Sequence, residues 1–474
     1  MNRLVAKFKR LLRILEDLTN TLASDAAPTA TVTESGIEST GIESESAPCS
    51  KAKQDNHDSR LDSRLESLPP EIRRHILSIL DLPRLKLLVR ASPTYHEQYI
   101  FDRNYFLCRS IEETLGSATV DAYTVHQPTV LTGDTEQKTT WDLKSYLEQS
   151  KRRYLPLAGK CTQDEAASIA AFYLHTVNPI AEHYARWSLV NLATFVAEDS
   201  HLRQKEVTHI LTDMETMRFT RAIYRFQLLC QVADYISLNR EFGSTERSMR
   251  PRDETFLAFL DVIEPWEVEE MFSFYQFAQE VYDNIFSKIR WNLHPDNPKF
   301  DDQGRPPTPC GAFDLGNSWD RGNYLEGTTL HGLSLLHTVL FRIKDHEHLV
   351  STMEQHMVSS YIPFNAMEGP LGETQQYVRR RDHPSERDRM QEERAAFPFR
   401  GDSDQPDAPP LAWTIMWYDT YSNLYGSYVP DEMRRWGYVF WDAATLEVNG
   451  GKRVLHKQWE EPYDACDPRD DLFY

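Results

Sequence analysis

At 474 residues the chain has room for two or three domains of ordinary size and a sizeable core. Hydrophobic residues at 40% and aromatics at 11% exclude a wholly disordered chain. With 52 basic against 72 acidic side chains, a net charge of −20, a general nucleic-acid role is disfavoured, because phosphate binding needs an excess of Lys and Arg on the contacting face.

Cys49, Cys108, Cys161, Cys230, Cys310 and Cys466 are scattered singly, with no C-x-x-C, which reads as reduced, mostly packed thiols of the cytosol or nucleus. No run of about 18 apolar residues suggests a membrane span.

In residues 1–24, Leu4, Phe8, Leu11, Leu15, Leu18 and Leu22 recur at three- and four-residue steps among Arg3, Lys7, Lys9, Arg10 and Arg13. This predicts an amphipathic helix. Two readings stay open: a helix that packs on another helix, and an organelle presequence or membrane-surface helix. Residues 25–63 hold no aromatic residue and are rich in Ser, Thr, Glu and Ala. Such a segment buries too little apolar area to offset its ordering entropy and is expected to be a disordered linker.

Residues 65–110 read as three short helices. After Leu68 and Pro69, the side chains of Ile72, Ile76, Ile79 and Leu80 share one stripe, with Arg73 and Arg74 off it. Asp81 is a cap for a second helix with Pro83 in its first turn, carrying Leu82, Leu85, Leu88 and Val89 on one side and Leu87 and Ala91 on another. Ser92-Pro93 ends it, and a third helix places Tyr95, Tyr99 and Phe106 on one face. Three such helices cannot hide all this apolar surface within themselves and need a partner, either another protein or the rest of the chain.

Residues 120–290 form a helical domain with few glycines. Thr162 and Glu165 have capping-box spacing, and Pro265 sits where a first-turn proline belongs. Residues 291–325, rich in Pro, Asp, Asn and Gly, predict a long loop, followed by a helix over 326–362 with a break near Asp345. Dense mixed charge over 363–410, including Arg379, Arg380 and Arg381, predicts a solvated loop. In 411–474 the aromatics concentrate: Trp413, Trp417, Tyr421 and Tyr425 repeat at i+4, the spacing of one helix face and a packed seam. Core packing is preferred for this cluster over a recognition pocket.

The Leu68-Pro69-Pro70-Glu71-Ile72 opening, Ile and Leu at three- and four-residue steps, the Asp81-Leu82-Pro83-Arg84-Leu85 connector and Ala91-Ser92 followed by Tyr95 resemble an F-box over roughly 40 positions. Glu264-Pro265-Trp266-Glu267-Val268-Glu269-Glu270 and Arg434-Arg435-Trp436-Gly437-Tyr438-Val439-Phe440-Trp441-Asp442 look like segments of large fungal families of F-box-like proteins. The expected fold is therefore mainly α: an N-terminal three-helix F-box-like module, then a larger irregular helical domain with an aromatic-rich C-terminal part. The resemblance implies a substrate-receptor subunit of a cullin ubiquitin ligase, docked on its Skp adaptor through Leu68, Pro69, Ile72, Ile76, Leu80, Leu85 and Leu88. Tyr95 stands where many F-boxes carry Trp, and no leucine-rich, WD or kelch period identifies a substrate-binding domain. The alternative is a free-standing helical interaction protein whose F-box-like helices are buried internally.

No phosphate loop, G-x-G-x-x-G, G-x-S-x-G or H-E-x-x-H occurs, so neither an enzyme nor a cofactor is expected. His331, His337, His346, His348 and His356 fall within 26 residues, but His337 and His348 lie about 16 Å apart along a helix, too far for one metal ion.

Overall fold

The computed structural model describes residues 65–127, 155–200, 210–241, 259–300, 313–358, 380–405, 407–463 and 466–470. The expectations for 1–24 and 25–63 lie outside these residues. The fold is mainly helical, and among the described residues the only pairing of extended chain is an isolated antiparallel bridge, Ala396 to Thr420.

The elements in chain order are α1 Pro70–Ser78, α2 Leu82–Ala91, α3 Pro93–Phe101, α4 Arg103–Leu115, α5 Thr119–Val125, α6 Gln163–Phe172 and α7 Asn178–Ser200. They continue with α8 Asp213–Glu241, α9 Pro265–Leu293, α10 Ser318–Thr329, α11 Leu333–His337, α12 His346–His356 and α13 Glu386–Glu392. The C-terminal part holds α14 Leu411–Met416, α15 Asp431–Arg435, α16 Ala443–Val448 and α17 Gly451–Tyr463. A π-helical segment, Tyr173–Val177, joins α6 to α7.

Local chemistry sets many of the ends. At α6 the Thr162 side chain accepts from Glu165 N while Glu165 accepts from Thr162 N, closing both halves of a capping box. At α9, Pro265 occupies the first turn, where its missing donor goes unmissed, and Glu264 and Glu267 close a second box. Asp345 caps α12 by accepting from His348 N, so the chain breaks just before it.

Helix α9 runs 29 residues, about 43 Å, and is buried nearly all round in its first half, as a helix surrounded by protein is. It packs against α8, α10, α12 and α15. Rings from several elements interlock beside it: Phe219 of α8 stacks on Phe440 at 4.2 Å, and Tyr184 of α7 meets Phe219, Phe274 and Phe440 edge-on.

Charges are buried in this core. Glu267, Glu269 and Glu270 of α9 are at most 1% exposed. Arg221 of α8 donates twice to Glu270, at 2.9 and 2.6 Å, and meets Glu267 at 2.9 Å and Asp404 at 3.0 Å. One turn on, Arg225 lies 3.1 Å from Glu267 and 3.3 Å from Asp121 of α5. One turn back, Arg218 donates to the Phe440 carbonyl, Asp442 and Asp402. Burial works against the Arg221 charge, but Glu267 and Glu270 outweigh it and hold the guanidinium ionised.

Four expectations need correcting. The loop over 291–325 is helical at both ends, α9 persisting to Leu293 and α10 starting at Ser318, where the Asn317 side chain accepts from Trp319 N and Asp320 N. The helix over 326–362 is divided at a second place, ahead of the break near Asp345. Gly332, with φ of 77°, stands between α10 and α11, in a conformation a side chain disfavours.

Within the charged stretch over 363–410, described residues are folded against the core. Arg380, which looked solvated, donates to Asp388 at 3.1 Å and to the Asn423 carbonyl at 2.8 Å. Arg387 donates to the Ile263 carbonyl and to Glu264, both at 2.8 Å, clasping the start of α9. Finally, Trp413, Trp417, Tyr421 and Tyr425 are all buried, but not on one helix. Tyr418 and Asp419 turn left-handed, and the chain leaves the helix so that Tyr421 N can donate to the Ala395 carbonyl and Phe397 N to the Asp419 carbonyl.

Replacing Arg221 with Ala removes both guanidinium bonds to the buried Glu270 and one of the two cations at Glu267, and is expected to cost about 3–5 kcal/mol, read as a lowered urea midpoint. A second expectation concerns acid. Burial raises the Asp388 pKa, but hydrogen bonds from Ser385 and Asn423 and the Arg380 charge together pull it below the ordinary value. Its stabilisation is therefore full above the unfolded pKa of about 3.9 and is lost as pH falls through the lower folded value. Asp388→Asn should flatten the acid limb of the stability curve; a limb as steep as the wild type's would contradict this.

Candidate functional site: the helical module of residues 65–110

Two of the module's helices, α2 and α3, start on a side-chain cap, and α1 starts on a proline. Pro69 precedes α1, Pro70 fills its first turn, and Glu71 places an acid at the positive end of the helix dipole. Asp81 accepts from Arg84 N at 2.8 Å to start α2, and Ser92 accepts from Tyr95 N at 3.3 Å to start α3. The chain makes four helices rather than the expected three, because it bends at Asp102 between α3 and α4.

The arginines left off the apolar stripe of α1 fasten it to its neighbours. Arg73 donates to Gln98 of α3 at 3.0 Å and to the Glu66 carbonyl at 2.7 Å. Arg74 pairs with Asp102 and lies over the Tyr105 and Phe106 rings, at 4.9 and 5.5 Å. Tyr95 is 1% exposed and donates its hydroxyl to the Leu65 carbonyl at 3.2 Å; burial pushes its pKa up.

The seven expected contact residues divide three ways. Ile76, Leu80 and Leu85 are buried, Leu68 and Leu88 are half-buried, and Pro69 and Ile72 are exposed. Helices α1 and α2 pack against α3 and α4, and these three side chains are covered by the chain itself. They are therefore corrected from contact residues to internal ones. The apolar surface left open is different: Ile72 is 47% exposed, Leu87 67%, Ile100 54% and Phe101 88%. Leu87 was legible as lying off the main stripe of α2, whereas Ile100 and Phe101, at the end of α3, carried no such signal.

The module is also joined to the rest of the chain. Helix α4 packs on α6, and Leu82, Leu107, Cys108, Ile111 and Leu115 belong to the large core. Leu82 N donates to Thr114 Oγ1, and Asn104 to the Cys161 carbonyl. The surface the three helices could not hide is thus partly covered by the chain itself and partly left to solvent.

Elsewhere, the rings of His331 and His356 lie 5.7 Å apart and His337 packs on Phe341. Among the described residues no group of three or more His, Cys, Asp or Glu is placed to hold a metal ion, and no helix is long and apolar enough to cross a membrane.

Comparison with protein-family models, with curated proteins and with solved structures gives no match for this chain.

The division of residues makes a stability prediction. Leu85→Ala should cost about 2–5 kcal/mol, the usual range for a buried Leu, whereas Ile72→Ala should change stability by no more than about 1 kcal/mol. Equal losses, measured by denaturant unfolding, would show that Ile72 is part of the module's interior.

Proposed function

We propose that the chain is an F-box-type substrate-receptor subunit that docks on the Skp-type adaptor of a cullin ubiquitin ligase. The observation that carries this reading is the concentration of open apolar side chains on the module: Ile72, Leu87, Ile100 and Phe101 fall within 30 residues. Open apolar side chains are what an interaction surface is built from. Their position within the stretch that resembles an F-box names the partner. On this reading the docking residues are Pro69, Ile72 and Leu87, flanked by the half-buried Leu68 and Leu88.

Such a receptor performs no chemistry itself. It holds a substrate near a ubiquitin-charged partner and so raises the effective concentration of the two. The setting would be the cytosol or nucleus, consistent with the buried thiols of Cys108 and Cys161, which form no disulfide.

One observation favours the second reading, a helical interaction protein without ligase function. Part of the module is sealed into the main core through α4 and Leu82. Capture by a Skp-type adaptor separates the two. Ile72→Asp and Leu87→Asp change exposed side chains and should leave the fold intact while reducing capture at least tenfold. Recovery equal to the wild type, or no capture of the wild type, would overturn the docking proposal. A buried position such as Leu85 is unsuitable, since a carboxylate there unfolds the module and mimics lost docking.

A further inference from the structure

A cleft of about 800 Å³ lies between α9, α10 and the segment 426–434. Its volume is toward the upper end of the range for ligand pockets, about 300–1,000 Å³. It is larger than one side chain needs and is suited to several consecutive residues of a peptide.

The charges around it are unbalanced. Glu280, Asp283, Glu326 and Asp431 line the cleft against a single guanidinium, Arg434. Arg434 is already held by Glu269, to which its Nε donates at 2.9 Å and its Nη2 at 3.0 Å, and by Asp431 at 2.9 Å. From outside, Arg435 pairs with Glu280 and Arg321 with Asp283. Carboxylates therefore outnumber guanidiniums even when these neighbours are counted, and the Asp431 side chain is 74% exposed.

Trp319, at the first turn of α10, lines the same cleft and is 70% exposed. An open indole among carboxylates is costly to leave in water and is the side chain that best receives an Arg or Lys cation on its face. Charge, an aromatic face and volume thus converge on one ligand chemistry.

We infer that this cleft binds a basic peptide segment, placing an Arg or Lys side chain over Trp319 and toward Asp431. This deepens the receptor reading by naming a substrate class, and rests on it only for the claim that the bound segment belongs to a ligase substrate.

Gly322 supplies a clean way to close the site. It lines the cleft, and a Cβ built on it meets nothing within 4 Å, so a larger side chain enters open space without disturbing the core.

The test is fluorescence anisotropy of the full chain with a fluorescein-labelled peptide of four Arg-Gly repeats, against a Glu-Gly control. The expected result is binding of the Arg peptide alone, weakened at least tenfold by Trp319→Ala and by Gly322→Arg and at least threefold by Asp431→Asn. Gly322→Ala and Glu386→Gln, the latter an exposed acid outside the cleft, should bind as the wild type does. Trp319→Ala is the decisive variant, because it alters no charge: binding driven by the net charge of −20 alone would not respond to it. Unchanged affinity for Trp319→Ala and Gly322→Arg, or no binding by the wild type, overturns the inference. The assay contains no adaptor, so peptide binding without adaptor capture sinks the ligase reading and leaves the cleft standing. Capture without peptide binding does the reverse.

Discussion

The buried pair of Glu269 and Arg434 is the constraint around which the protein is arranged. A carboxylate at 0% exposure is tenable only with a fixed counter-charge and filled hydrogen bonds. Glu269 has both: two bonds from Arg434 and one from Gly426 N at 2.7 Å. The partners are 165 residues apart and belong to the two segments, 264–270 and 434–442, singled out in the sequence beside the helical module. Asp442, at the far end of the second segment, pairs with Arg218, and the Phe440 carbonyl accepts from the same guanidinium. Helices α8 and α9 and the aromatic C-terminal part are thus tied by charges that water cannot satisfy. Such pairs add little net stability over an apolar core of the same shape, but a misplaced partner leaves a bare charge, so they penalise alternative arrangements of the helices.

The same logic explains what was legible in the sequence. Caps at Asp81 and Thr162 and the first-turn prolines Pro83 and Pro265 are contacts within three or four residues, and each was readable from spacing, whereas Asp345 was readable only as a break. The burial of the C-terminal aromatics was also readable, as composition. Their i+4 spacing misled, because the preference for a helix yielded to a backbone bridge at Ala396 and Thr420, a partner spacing cannot reveal. Charged residues misled most. Arg218, Arg221 and Arg225 recur at three- and four-residue steps among the apolar residues of 217–233, a stripe that could have signalled buried pairing. Their carboxylates come from α5, α9 and residues 402–442, so the sequence showed the question without the answer. Arg380 and Asp388 were lost for the same reason, as mixed charge reads as solvent exposure until the enclosing chain is known.

The candidate site followed a subtler version of this. The apolar stripe of α1 and α2 was visible, but a stripe says only that side chains seek cover. It does not say whether a neighbouring helix or another molecule provides it. Ile76, Leu80 and Leu85 found cover within the chain, and the residues left for a partner are the ones at the stripe's edge or off it. A surface for association must be built on residues the fold does not consume, which is why Ile72 and Leu87 carry the docking proposal.

Module and cleft are also mechanically connected. Helix α4 packs on α6, α5 packs on α8, and Asp121 of α5 meets Arg225, whose other partner, Glu267, stands two residues from the Glu269 that fixes the 426–434 wall of the cleft. The links in this series are helix packing, buried ion pairs and the backbone of α9, so the module and the cleft share one core. For a receptor this matters, because the gain from tethering falls steeply once the tether cannot hold its two ends in a productive span. A buried charge network is a costly way to build a core and an effective way to fix one arrangement of its parts. If the module binds the adaptor and the cleft binds the substrate, the network that links them sets the distance between the two bound proteins.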